Sequence, residues 1–145
     1  MLLTFVISLF LIFLCVAVHY EALHRFDDIS DKLALKGRIK VGAGSVLAIA
    51  AHTVEVWLFG IAHYFLVNNT SDNFIMHSSG KAAHGFMESI YFSFISYTSL
   101  GYGDLVPEGP IRFMVGTECL LGLVLIAWTA SFLYLKMERY WKVSD

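Results

Sequence analysis

Three long apolar runs, separated by polar segments, dominate the pattern along this chain. They cover residues 2–22, 41–67 and 111–135. Each is long enough to cross the hydrocarbon core of a bilayer, which takes about 20 apolar residues in a helix. The first run has no basic segment before it and no small-residue cleavage site, so we expect a retained span rather than a signal peptide. The pattern therefore predicts an all-α membrane protein with three transmembrane helices.

Composition and charge support a protein that is surrounded by lipid. Hydrophobic residues make up 57% of the 145 positions and charged residues 15%, against about 25% in typical soluble domains. A net charge of −2 gives no indication of a nucleic-acid partner. Cys15 and Cys119 lie inside apolar runs, without the spacing of a metal or redox site, and are expected to be buried free thiols.

Basic residues lie mainly on one side of the predicted membrane. Eight of the ten Lys and Arg residues fall within residues 23–40 or after residue 135. Because basic segments next to spans stay in the cytoplasm, we expect the N-terminus outside, the C-terminus in the cytoplasm, and a location in the plasma or inner membrane. The first run carries no ladder of arginines, so a voltage sensor of the usual kind is not expected.

The segment between the second and third runs contains a second, shorter pattern. Residues 68–85 are polar and are expected to form an exposed loop. Residues 86–98, FMESIYFSFISYT, are apolar and aromatic, but as a helix they would reach only about 20 Å, too short to cross the bilayer. We expect a half-helix that enters the membrane and returns. Irregular backbone at that depth is stable only where protein or a water-filled cavity satisfies its polar groups.

A glycine-rich strip, residues 99–103, follows this half-helix. Gly101 and Gly103 reach positive φ without a Cβ penalty, so alternating backbone conformations turn successive carbonyls toward one axis. Leu100 and Tyr102 are then expected to point away from that axis and pack behind the strip. The hydroxyl of Ser99 adds one more oxygen. A closed oxygen ring needs several copies of the strip, and fourfold symmetry supplies it.

The segment TSLGYGD, residues 98–104, resembles the selectivity filter of the potassium-channel pore-loop superfamily, usually T-V-G-Y-G-D. The resemblance covers the outer helix, pore helix, filter and inner helix of a small bacterial-type two-transmembrane pore, here with an extra N-terminal transmembrane helix. It implies a homotetrameric channel that conducts K⁺ passively, with no cofactor and no enzymatic activity. The only other expected partners are membrane lipids.

The resemblance also implies roles for individual residues and a division of the chain. Asp104 would stand at the outer mouth, and Gly122 would be a hinge in the inner helix. Serine and leucine replace the usual threonine and valine of the motif. The division is a peripheral helix at 1–23, a cytoplasmic linker at 24–40, a pore module at 41–137 and a short cytoplasmic tail at 138–145. The residues expected to coordinate the ion are Ser99, Leu100, Gly101, Tyr102 and Gly103.

Glu118 is an acid within the third run, where an ionisable group indicates a function. Ile95 stands where some bacterial relatives carry a glutamate that braces the filter, so Glu118 is a candidate replacement. Three alternatives stay open: it bonds to Ser96 or Thr98 behind the filter, it faces the cavity and attracts cations, or it is protonated and structural.

Further polar residues form stripes on the first two spans. His52, Glu55 and His63 share one face of the second span, and His19 ends a stripe on the first that also contains Thr4 and Ser8. These groups could hydrogen-bond internally, sense pH or bind a metal. For the whole chain, the alternatives to a potassium channel are a non-selective monovalent cation channel, a non-conducting channel subunit and, last, a His/Glu membrane metalloenzyme.

Overall fold

A computed structural model describes residues 1–32 and 37–141. Three long helices and one short helix account for most of this part of the chain, and two short strands pair beside them. Each long helix is long and apolar enough to cross a membrane, as predicted, which makes this an integral membrane protein. The elements are α1 Leu2–Lys32, α2 Gly37–Asn69, β1 Phe74–His77, α3 Phe86–Tyr97, β2 Leu105–Glu108 and α4 Ile111–Trp141.

Helix α1 extends about ten residues beyond its apolar run, because polar side chains do not end a helix and no Gly or Pro occurs before residue 37. Most of residues 24–40, which were expected to form a linker, therefore belong to α1 and α2. Residues 33–36 lie outside the described part. Ion pairs Asp27–Lys136 and Asp31–Lys40 tie this polar end of α1 to α4 and α2.

One face of α1 packs against α2 and α4. The buried positions include the polar stripe that the sequence predicts, and His19 at its end is 0% exposed. At the other end of the helix, the N-terminal amine of Met1 lies 3.3 Å from the carboxylate of Asp72. The chain therefore begins beside the segment that follows α2. The buried residues of α1 recur at nearly every fourth position: Thr4, Ser8, Leu11, Cys15, His19 and Leu23.

A two-stranded antiparallel sheet corrects the expectation that residues 68–85 form an exposed loop. Its first strand, β1, lies within this segment, and its second strand, β2, follows the glycine strip. Phe74 pairs with Glu108 and His77 with Leu105, and the side chain of Ile75 is fully buried. Gly109 follows β2 at φ +82°, and a Cβ there would clash with the backbone of Asp72. The partner strand is about 30 positions away in sequence, so no local pattern reveals this pairing.

Helix α3 packs against α2 and α4. Gly60 allows its close approach to α2, because a Cβ at that position would lie 2.9 Å from the Cα of Ile90. The apolar core fills the space between the four helices and includes Phe59 and Phe92. This packing fixes the end of α3, where the glycine strip begins.

Candidate functional site

The glycine strip begins directly at the C-terminal end of α3. The N–H of Ser99 donates to the Ser96 carbonyl at 2.9 Å, and the N–H groups of Leu100 and Gly101 donate to the Ile95 carbonyl at 2.9 and 3.1 Å. Within residues 1–32 and 37–141, no hydrogen bond reaches a carbonyl oxygen of residues 99–103. The strip therefore keeps its acceptor oxygens free.

The backbone of the strip alternates in handedness. Ser99, Gly101 and Gly103 have φ of +56°, +52° and +80°, while Leu100 and Tyr102 between them do not enter the positive region. Ser99 is the only non-glycine with positive φ in the described part of the chain. The alternation of backbone conformation agrees with the sequence-based expectation, and it is the kind of backbone that lets successive carbonyls point toward one side.

The side chains of the strip are open in the single chain. Leu100 is 57% exposed and Tyr102 67% exposed, so helices of the same chain do not provide the packing that was expected behind the strip. A cavity of about 320 Å³ adjoins the strip. Its lining is mostly apolar and includes Phe92, Val115 and Cys119.

Hydrogen bonds hold the outer end of the strip. Tyr91 on α3 donates its hydroxyl to Asp104 at 2.9 Å, and the N–H of Ser78 donates to the Asp104 carbonyl at 2.9 Å. Asp104 itself is exposed. The strip is thus tied at one end to the turn that closes α3 and at the other to the α3 face and the segment after β1.

An acidic residue caps the N-terminal end of α3. The Glu88 carboxylate accepts the N–H of Gly85 at 2.9 Å and lies 3.0 Å from the Nε2 of His77. The Gly85 N–H, followed by His77, lowers the pKa of Glu88 below its ordinary value. An acid in this position also suits the positive end of the helix dipole.

Glu118 does not bond to either of the partners that the sequence suggested. Thr98 donates its hydroxyl to the Phe94 carbonyl at 2.7 Å. Glu118 is instead fully buried between Ser93 of α3, which contacts Oε1, and His63 of α2, whose Nε2 lies 2.9 Å from Oε2. Glu118 therefore faces α3 and not an open cavity, which contradicts the alternative that it attracts cations there. No hydrogen bond joins Ser96 to Glu118 in the described part of the chain.

The protons available around Glu118 indicate its charge state. The single hydroxyl proton of Ser93 faces both the Val56 carbonyl, at 2.8 Å, and Glu118. If Glu118 is protonated, it donates to Ser93, Ser93 donates to Val56, and a neutral His63 donates to Oε2. A charged His63 would instead place an N–H at its buried Nδ1, which has no hydrogen-bond partner among the described residues. The count favours a neutral, structural Glu118.

A second buried polar group, here named the Glu55 cluster, lies nearer the end of α3. Its carboxylate contacts the Tyr97 hydroxyl, His19 Nδ1 at 2.9 Å and His52 Nδ1 at 3.1 Å. The remaining ring nitrogens both face the Thr129 hydroxyl, His52 Nε2 at 3.0 Å and His19 Nε2 at 3.1 Å. The cluster consists of His19, His52, Glu55, Tyr97 and Thr129, contributed by all four helices.

The two clusters divide the polar face of α2. His63 bonds to Glu118, whereas His52 and Glu55 meet His19, so the three residues do not form one site. Donor atoms of His19, His52 and Glu55 all lie within 4.8 Å of one another. The contacts to Glu55 are nevertheless shorter than the roughly 3.3 Å that separates ligands around a tetrahedral zinc with bonds of about 2.0 Å. The arrangement is a hydrogen-bonded network.

Gly122 lies where α4 meets the end of α3. A Cβ at this position would lie 2.9 Å from the carbonyl carbon of Tyr97, and closer still to its oxygen. Helix α4 is continuous through Gly122. Its role as a hinge stays a prediction, and close packing against Tyr97 is a separate requirement for glycine.

Sequence reasoning missed three members of these clusters, Ser93, Tyr97 and Thr129. Ser89, Ser93 and Tyr97 recur at every fourth position of α3, a spacing that could have marked its buried face. Thr129 gives no such signal, since a single threonine in an apolar helix commonly bonds to its own backbone.

Comparison with known proteins agrees with this architecture. A family model described as "Ion channel" matches residues 41–139, which cover α2, α3, the strip and nearly all of α4. Searches of curated proteins and of solved structures gave no significant match. Helix α1 lies outside the matched range. The chain belongs to this ion-channel family, with a pore domain of the two-transmembrane, potassium-channel type.

Proposed function

We propose that the protein is a potassium-selective channel that conducts K⁺ passively through a filter formed by residues 99–103. The observation that carries this proposal is the alternation of positive φ at Ser99, Gly101 and Gly103 in a strip whose carbonyls accept no hydrogen bond within the described residues. Stacked carbonyl rings replace the hydration shell of a K⁺ ion, and several adjacent sites let one ion displace the next.

Four copies of the chain complete this filter. One strip supplies one wall, and a closed ring of oxygens requires rotational symmetry. The exposed side chains of Leu100 and Tyr102 support this assembly, because large apolar groups beside a polar strip need a covering surface. The cavity of about 320 Å³ next to the strip offers apolar surface to a neighbouring copy.

The filter opens to the outside in this proposal. Helix α3 enters the membrane and returns through the strip, so its negative C-terminal dipole end faces the cavity and favours a cation. The contact between Met1 and Asp72 places the N-terminus near the end of α2 and hence on the same side as Asp104. The basic residues at the opposite ends of the helices favour a cytoplasmic C-terminus.

Reconstitution tests this function directly. The purified full chain is inserted into planar bilayers, and the reversal potential is measured first with a tenfold K⁺ gradient and then with K⁺ and Na⁺ on opposite sides. A tenfold K⁺ gradient should give a reversal potential of about 59 mV if K⁺ alone permeates. A value near zero with Na⁺ opposing K⁺ would assign a non-selective cation channel. An absence of current in every ionic condition would support a non-conducting subunit.

A matched pair of glycine variants links the current to the strip. Gly103→Ala and Gly116→Ala both add a methyl into open space, since neither Cβ would meet an atom within 4 Å. They differ in that Gly103 has φ +80° and Gly116 has no positive φ. We expect Gly103→Ala to abolish selective current and Gly116→Ala to retain it. Equal currents in the two variants would contradict a filter at this strip.

A further inference from the structure

Helix α1 lies outside the matched range, yet one of its side chains reaches the last residue of α3 through a single intermediate. His19 Nδ1 lies 2.9 Å from Oε1 of Glu55, and the Tyr97 hydroxyl contacts Oε2 of the same carboxyl group. His19 and Glu55 are 0% exposed and Tyr97 is 1% exposed, so solvent does not reach these groups. A contact that is lost here is not replaced by a bond to water, and a buried polar group without a partner is costly.

The imidazole of His19 bridges two other helices. Its Nδ1 contacts Glu55 on α2, and its Nε2 lies 3.1 Å from the Thr129 hydroxyl on α4. Among the described residues, no hydrogen bond other than that of His19 reaches Oε1 of Glu55. Both contacts disappear together with the His19 ring, wherever the protons of the cluster lie. The matched range, residues 41–139, therefore contributes no described partner of its own for this buried oxygen.

All contacts of the Glu55 cluster are completed without net charge when Glu55 is protonated and both imidazoles are neutral. Glu55 then donates from Oε1 to His19 Nδ1, and His19 Nε2 donates to Thr129. Thr129 donates to His52 Nε2. The Nδ1–H of His52 faces the Tyr97 hydroxyl at 2.9 Å and Oε2 at 3.1 Å, and Tyr97 donates to Oε2. This ring of bonds needs His19 as an acceptor at one nitrogen and a donor at the other, which no apolar side chain can replace.

Tyr97 connects the cluster to the glycine strip. It is the last residue of α3, and the strip is bonded to the same turn of the helix. The N–H of Ser99 donates to the Ser96 carbonyl, and those of the next two residues donate to the Ile95 carbonyl. A shift of Tyr97 would therefore move the carbonyls to which the first residues of the strip are bonded.

Contacts on both sides of His19 fix the position of α1 along α4. Phe5 packs against Phe113 with ring centroids 5.1 Å apart, and Asp27 forms an ion pair with Lys136 nearer the opposite ends of the two helices. His19 lies between these two attachment points. Its ring is therefore held at a fixed height along α4.

We propose that His19 is a positioning residue for the filter, and that α1 is through it an integral part of the pore rather than a peripheral helix. This inference rests on the proposed channel function. His19 holds the carboxyl group of Glu55, Glu55 holds the hydroxyl of Tyr97, and Tyr97 fixes the turn at which the strip begins. Loss of the imidazole releases that turn and alters the spacing of the carbonyls that select K⁺.

Two amide variants of His19 separate its two contacts. The amide of asparagine lies close to the position of Nδ1, and that of glutamine close to the position of Nε2. His19→Asn therefore keeps a partner for Glu55, His19→Gln keeps one for Thr129, and His19→Leu keeps neither. Reversal potentials of the full chain in planar bilayers give the K⁺/Na⁺ permeability ratio. We expect His19→Leu and His19→Gln to lower this ratio at least fivefold and His19→Asn to stay within twofold of the wild type.

Cys15→Ala is the matched control for packing. Cys15 is fully buried on the same face of α1, one turn before His19, and no hydrogen bond joins it to Glu55 in the described part of the chain. Its truncation should lower the unfolding temperature, because it leaves a cavity, but should leave the permeability ratio unchanged. Equal losses of selectivity in Cys15→Ala and His19→Leu would assign α1 a general packing role and overturn the proposal.

A double variant tests whether His19 acts through Tyr97. Tyr97→Phe removes the hydroxyl that contacts Glu55. If the two residues act along one route, His19→Leu combined with Tyr97→Phe should lower the permeability ratio no further than the more affected single variant does. A reduction equal to the product of the two separate reductions would show independent effects and overturn this route.

Stabilisation by K⁺ provides a readout that needs no current. An ion that binds only the folded state raises the unfolding temperature, so this temperature is compared in detergent between K⁺ and choline at equal ionic strength. His19→Leu should at least halve the K⁺-dependent increase of the wild type, and Cys15→Ala should keep the full increase. An unchanged increase in His19→Leu would overturn the proposal. If His19→Leu does not fold, an equal increase in His19→Asn and His19→Gln would overturn the route through Glu55.

Failure of the channel function gives a different result. A wild type with neither a current nor a K⁺-dependent increase in unfolding temperature would contradict the proposed filter and, with it, the positioning role. A wild type that selects K⁺, together with an equally selective His19→Leu, would overturn the role of His19 alone.

Discussion

Replacement of Gly122 by alanine should displace the end of α3 and thereby disturb the proposed filter. The added Cβ would lie 2.9 Å from the carbonyl carbon of Tyr97 and 3.1 Å from its Cδ1. Carbon atoms that are not bonded to each other separate by about 3.5–4.0 Å at their optimum. The backbone of α3 would therefore have to move by at least about half an ångström, since a carbonyl cannot rotate out of the way as a flexible side chain can.

The expected cost follows from overpacking of a well-filled contact. Extra methyl groups in packed interiors destabilise by about 1–3 kcal/mol, and occasionally more when backbone must shift. We expect the upper part of this range, because the Tyr97 side chain is 1% exposed and bonded to the Glu55 cluster. Alanine is the better helix former by up to about 1 kcal/mol, which offsets only part of this cost.

Thermal unfolding in detergent and the K⁺/Na⁺ reversal potential measure the two consequences. Gly122→Ala should unfold at a lower temperature than the wild type and lose K⁺ selectivity. Gly116→Ala is the control, because it lies on the same helix and its Cβ would meet nothing within 4 Å. A Gly122→Ala channel with wild-type stability and selectivity would refute the close packing of α4 against Tyr97. A variant that is stable and selective but no longer opens would instead support a hinge at this position.

Three further outcomes follow from the contacts around the proposed filter. Glu118→Gln should retain stability and current, because an amide reproduces the donor and the acceptor of a neutral acid. Glu118→Leu should instead lower the free energy of unfolding by about 1–3 kcal/mol, because it leaves Ser93 and its neighbours without hydrogen-bond partners. Tyr91→Phe removes the hydrogen bond to Asp104 and should shorten the open time of single channels, with unchanged open times contradicting a role for that bond. Because the pKa of Glu88 is lowered, its stabilising contribution is present above the ordinary glutamate pKa of about 4.3 and is lost as pH falls through the lowered value. The unfolding temperatures of wild type and Glu88→Gln should differ at pH 6, and the difference should shrink as the pH is lowered below the ordinary pKa.

The family and the main elements of this protein are readable from its sequence, because they depend on local patterns. The length of an apolar run determines whether a helix can span a membrane, and the same rule shows that the run at 86–98 is too short to do so. The motif at 98–104 depends on residue types at fixed spacing, of which Gly101 and Gly103 are required for their positive φ. The inward face of α1 also follows from periodicity, since Thr4, Ser8 and His19 are separated by nearly whole numbers of helical turns.

Only the tertiary structure decided which polar residues meet. Periodicity places His52 and His63 on one face of α2, but the rotation and axial position of the neighbouring helices determine that one reaches His19 and the other Glu118. The same lack of local information concealed the pairing of β1 with β2 and the contact of Gly122 with Tyr97. A helix pattern specifies a face and not its partner, because partners come from elements tens of residues away whose docking depends on packing of the whole bundle.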